Sequence, residues 1–132
     1  MLLCVVAGVF LVWASVAKRR AQSLGCVSGM VSICFAGRMW ASDNGGHFPT
    51  NFITMSNDLV TPKVLICSAD ETRKKVGSFA EYTDANCSYV MVTPGVHESA
   101  TNTVFIRCSI HGHLGYPDNT VFDGVRRRGK FD

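Results

Sequence analysis

The chain has 132 residues, a formal net charge of +3 and 17% charged side chains, which fits one domain and is too small and scattered a charge for a nucleic-acid-binding face. Eight Phe, three Tyr and two Trp in a 47% hydrophobic composition exclude a disordered tail protein. Mean hydropathy is +0.16, and the excess sits in residues 1–17, which hold no charged side chain.

Residues 1–17 would span about 25 Å as a helix, the lower edge of membrane-spanning length. A secretory signal peptide is the rival reading: Ser15-Val16-Ala17 puts small residues where a signal peptidase reads, although no Lys or Arg precedes the apolar run. That rival makes the protein a secreted, disulfide-stabilised binding domain released after Ala17. Lys18-Arg19-Arg20 follows, and by the positive-inside rule alone it would hold this side in the cytoplasm. Arg73-Lys74-Lys75 and Arg126-Arg127-Arg128 read as solvated charge, so no nucleic-acid partner is expected.

Leu24, Val27, Val31, Cys34 and Phe35 recur at helical steps, which extends the helix through residues 18–42 as an amphipathic rod. Gly25, Gly29 and Gly37 each weaken it by about 1 kcal/mol relative to Ala, and they offer close packing against another helix as a second reading. Ser42-Asp43-Asn44-Gly45-Gly46, with Pro49 beyond, ends it, because Gly and Asn accept left-handed backbone and Pro cannot continue a helix.

From Phe48 onward short apolar runs bounded by turn residues predict strands at Val64-Leu65-Ile66, residues 88–92, Val104-Phe105-Ile106 and Thr120-Val121-Phe122. The expected class is α+β: a long N-terminal helix, transmembrane and then amphipathic, packed on a small antiparallel sheet. The expected divisions are an apolar segment at 1–17, the amphipathic extension at 18–42, a disulfide-stapled β-rich head at 43–125 and a basic tail at 126–132.

The helix exit from Ala41 to Pro49, then Cys67-Ser68-Ala69-Asp70, Cys87-Ser88-Tyr89 and Cys108-Ser109-Ile110-His111-Gly112-His113, resembles pseudopilin-like proteins of the type II secretion and type IV pilus superfamily. His113, nine intervening residues and Asp123-Gly124 match the H-X9-DG pattern of the prepilin-type processing-associated proteins that abound in planctomycetes and verrucomicrobia. The resemblance runs from the apolar helix to Gly124. It departs at Ser68 and Ser109, where relatives commonly carry Pro, and the family's basic leader, cleavage-point Gly and early Glu are not seen here. It implies a pilin-like fold and a non-catalytic subunit whose helix packs with other pilin-like subunits. It also implies single-pass anchoring in a bacterial inner membrane, with the head in the periplasm or outside the cell; this topology is followed over the one the basic cluster favours. His113, Asp123, Gly124 and Tyr89 are then motif residues with structural roles.

No Gly-x-Ser-x-Gly elbow, His-Glu-x-x-His or phosphate-binding glycine loop occurs, and no enzymatic activity is expected. The six cysteines contain no Cys-x-x-Cys pair, and with an exporting helix they point to disulfides. Cys26 and Cys34 lie about 12 Å apart along a helix, beyond the roughly 7 Å a disulfide allows. That leaves Cys26, Cys67, Cys87 and Cys108, with Cys87 and Cys108 on candidate neighbouring strands as the first pair and Cys26 with Cys67 as the second. Cys34 reads as a buried thiol.

Cys108, His111 and His113, with Asp118 and Asp123 downstream, are also ligand types for zinc. In an extended strand Cys108 would face away from both histidines, and a turn at Gly112 would bring them together. Some pseudopilin heads bind calcium, and Asp118, Asn119 and Asp123 could supply oxygens for it. The simpler expectation is no cofactor, with Asp118-Asn119 and Asp123-Gly124 as turns.

Overall fold

The computed structural model describes residues 1–129. Its first element, helix α1 (Leu2–Asp43), is continuous for 42 residues. It ends where expected: Gly45 and Gly46 take φ of +68° and +81°, and the Gly46 N–H donates to the Ala41 carbonyl at 2.8 Å. The chain then reverses, and Phe48 inserts beneath the helix, edge-on to Phe105 with ring centroids 4.7 Å apart.

The helix divides in two. Residues 1–21 are exposed along their whole length, whereas Cys26, Val27, Met30, Val31, Ile33, Cys34, Ala36, Gly37 and Ala41 are buried against the head. Val27, Val31 and Cys34 of the expected stripe are buried, but Leu24 and Phe35 remain 56% and 44% exposed, while Cys26, Met30 and Ile33 are fully buried, so the contact face is rotated from the expected one. Small residues let the head approach on this rotated face. A Cβ on Gly37 would lie 2.9 Å from Phe48, and one on Gly25 would lie 3.2 Å from the Ser68 hydroxyl. These glycines admit the helix's own head.

The first half of the head is not β-rich. Ile53–Met55 forms a short 3-10 turn, Ser56–Leu59 forms helix α2, and Pro62–Leu65 forms a second 3-10 turn where a strand was expected. Pro62 at its first position removes a ladder donor, and the Thr61 side chain accepts the Lys63 N–H, so this run closes locally instead of pairing. A third turn, Asp84–Asn86, is capped by Thr83.

The strands follow as a meander in the order β1 (Tyr89–Met91), β2 (Ile106–Cys108), β3 (Leu114–Gly115), β4 (Val121–Phe122) and β5 (Arg127–Arg128), all antiparallel. Residues 88–92 and 120–122 fall where strands were expected, and β2 begins at the last residue of the third expected run. β3 is too short to show an alternation. β5 corrects the expected basic tail, because Val121 and Phe122 pair with Arg128 and Arg127; the remainder of that tail, residues 130–132, lies outside the described residues. Strands β2, β3 and β4 pack on α1, and Met30, Ile33, Phe48, Met55, Leu65, Phe105, Ile106 and Val121 fill the space between. The architecture is α+β, a long N-terminal helix on a small antiparallel sheet.

Candidate functional site

Three elements converge on one thiol cluster just beyond the exposed half of α1. Cys26 comes from the buried face of the helix, Cys67 from the segment after the second 3-10 turn, and Cys108 from the end of β2. After β2 the chain turns sharply: the Gly112 N–H donates to the Cys108 carbonyl at 3.0 Å, and Gly112 adopts φ +70°. This turn swings His111 back over Cys108. The donor atoms of Cys26, Cys67, Cys108 and His111 all lie within 4.8 Å of one another, with His111 Nδ1 3.3 Å from Cys67 Sγ and 3.9 Å from Cys108 Sγ.

Each thiol is fixed by its surroundings. The Cys67 N–H donates to Ser88 Oγ at 3.0 Å, and the Ser88 hydroxyl donates to buried Asp70 at 2.7 Å. Asp70 also accepts from Thr72 and from the Arg73 Nε at 2.8 Å. Burial alone would raise the Asp70 carboxyl, but the hydrogen bonds from Thr72, Ser88 and Arg73 hold it well below the usual carboxylate range. The Ser88 carbonyl in turn accepts from the Ser109 N–H and hydroxyl, which ties the segment carrying Cys67 to the one after Cys108. Tyr89 sits directly across the ladder from Cys108, and its hydroxyl donates to Cys26 Sγ at 3.9 Å. Burial pushes the Tyr89 phenol up, so it stays a donor.

Within the cluster, Cys26 acts most strongly on Cys108. The Cys26 thiol hydrogen-bonds to it and pulls it well below the ordinary thiol range against burial, helped by the N–H groups of His111 and Ile110. The His111 N–H lies 3.4 Å from that sulfur.

All six cysteines are free thiols, which corrects the expected disulfide framework. Cys87 does not reach Cys108: its thiol donates to the Tyr89 carbonyl at 3.2 Å, while Cys108 sits with Cys26 and Cys67. Cys26 and Cys67 do meet, as thiols within the cluster. Cys34 is buried against Gly115, where a Cβ would lie 2.8 Å from its sulfur.

The turn at Gly112 joins His111 to Cys108 but leaves His113 outside the donor set. The His113 ring stacks on His111 at 5.0 Å, is buried, and faces the Ser23 hydroxyl at 3.5 Å. Asp118 and Asp123 are elsewhere, and their oxygens have other partners. Asp118 accepts from Thr120 and pairs with Arg127, whose guanidinium lies 3.8 Å above the Tyr116 ring. Asn119 takes φ +67° in the same turn. Asp123 accepts from the Val125 and Arg126 N–H groups and from the Arg128 Nε, and Gly124 carries φ +93°.

Sequence reasoning missed Cys26 and Cys67 as partners of Cys108 and His111 in one cluster, and it missed Asp70 and Ser88 as their support. The Cys108-x-x-His111 spacing was the available signal. Matched against family models, curated proteins and solved structures, the chain finds no counterpart in any of the three.

Proposed function

We propose that the protein is a membrane-anchored, pilin-like structural subunit whose N-terminal helix sits in the inner membrane or packs into a fibre, with its head outside the cytosol. One observation carries this reading: α1 is long and apolar enough to cross a membrane, and its residues up to Ala21 project exposed from a head that buries only the second half. Leu2, Leu3, Phe10, Leu11 and Trp13 are each more than two-thirds exposed, a surface that a water-soluble body does not leave bare. The H-X9-DG segment supports the same reading, since Asp123 and Gly124 shape the β4–β5 turn and His113 rests against α1 at Ser23. The role is assembly, with no catalytic step.

Cys4 lies in the exposed segment and tests the assembly. Washed membranes containing the full chain, treated with a membrane-permeable bis-maleimide, should give Cys4-linked dimers or heterodimers with other single-helix subunits, and Cys4→Ser should abolish them. A chain that stays monomeric in its membrane under this treatment contradicts packing with neighbours.

A further inference from the structure

The thiol cluster lies on the buried half of α1, beyond the exposed segment on which the proposed anchoring rests. Its composition is three sulfurs and one imidazole nitrogen, drawn from α1, the segment after the second 3-10 turn, and the turn after β2. A tetrahedral zinc ion with bonds of about 2.3 Å to sulfur and about 2.0 Å to nitrogen needs its donors about 3.5 to 3.8 Å apart. Here His111 Nδ1 is 3.3 Å from Cys67 Sγ and 3.9 Å from Cys108 Sγ, and no pair in the set exceeds 4.8 Å.

The surroundings fit a metal as well as the donors do. Cys26, Cys67 and Cys108 are at most 1% exposed, so water does not compete from their side, while half-buried His111 leaves an entry path. The Tyr89 hydroxyl and the His111 N–H point at Cys26 and Cys108 sulfurs, the kind of outer hydrogen bond that stabilises coordinated thiolates. Asp70, through Ser88, fixes the backbone of Cys67.

We propose that Cys26, Cys67, Cys108 and His111 form a structural zinc site that clamps α1 to the head. The four ligands close the tetrahedron and leave no open position for substrate, which assigns the ion a structural role. Soft sulfur ligands in a tetrahedral set of three thiolates and one imidazole select zinc over magnesium or calcium. Binding exchanges protons for the ion: each cysteine ligand enters as thiolate and His111 as neutral imidazole, so loading releases whatever protons the thiols still hold. His113, stacked on His111, orients the ring without donating to the metal.

The test uses the full chain, purified in detergent with reductant and without chelator. Elemental analysis should find one zinc per chain. Cobalt(II) added to the metal-free chain should give the intense ligand-field bands of tetrahedral coordination and a thiolate-to-cobalt charge-transfer band, a readout that requires no variant. Cys108→Ser and Cys67→Ser should each weaken zinc binding against a chromophoric chelator by more than about 100-fold, beyond the effect of losing an outer-shell partner. Cys34→Ala and Cys87→Ala should keep one zinc per chain. The proposal is overturned by a chain that carries no zinc and gives only the weak bands of octahedral cobalt. It is equally overturned if peptides from the chain isolated without reductant show Cys26, Cys67 and Cys108 joined in any disulfide. Neither result touches membrane anchoring, which is read by fractionation.

Discussion

In the β4–β5 turn the Asp123 carboxylate collects the Val125 and Arg126 N–H groups and the Arg128 guanidinium, while Gly124 carries a φ of +93° with open space where a Cβ would be. The backbone N–H groups of Arg126 and Val125 hold the Asp123 carboxyl below the usual range, with Arg128 adding to them. Its folded value is depressed, so the stabilisation is complete above the ordinary aspartate value of about 3.9 and is lost as pH falls through the folded value. Asp123→Asn should therefore melt lower than the parent at neutral pH, with the gap closing below about pH 4. Gly124→Val, strained by backbone alone, should cost 1 kcal/mol or more, on the order of a misplaced non-glycine residue, at every pH. Thermal melting of both variants across this range is the check, and a gap for Asp123→Asn that is independent of pH would contradict the assignment.

At the scale of elements, the two halves of α1 differ in burial: the first is exposed and apolar, and the second packs one face on the head. Ile33 is fully buried, and Ile33→Ala should destabilise the fold by about 2 to 5 kcal/mol, whereas Leu24→Ala, at a position 56% exposed, should stay within about 0.5 kcal/mol. Equal losses for the two, measured by chemical denaturation, would place the packed stripe wrongly. The existence of this helix, its end at Gly45 and Gly46, and the run that became β4 were legible in the sequence, because hydropathy and left-handed turn residues act locally. The rotation of the stripe was not, since Cys26, Met30 and Ala36 are small or flexible residues chosen by the shape of the head. The 3-10 turn at Pro62–Leu65 read as a strand because Val64, Leu65 and Ile66 are apolar in either conformation, and Pro62 was the overlooked signal. β3 and β5, two residues each, have no periodicity to read. The thiol cluster was half visible: Cys108 and His111 are neighbours in sequence, but their meeting with Cys26 and Cys67 depends on how α1 crosses the sheet.

The whole molecule is a rod with a folded body on its second half, and the exposed first half is long and apolar enough to cross a membrane. Removal after Ala17 would leave a body free to diffuse; retention would leave an anchor. The two outcomes differ in mass and in location, so a single measurement separates them: the intact mass of the chain in carbonate-washed membranes and in the soluble fraction. Anchoring through α1 requires a mass that retains residues 1–17 and is found with the washed membranes, and a chain beginning at Ala21 should appear in the soluble fraction. A full-length chain found entirely in the soluble fraction, or a soluble chain whose mass begins at Lys18, would contradict it.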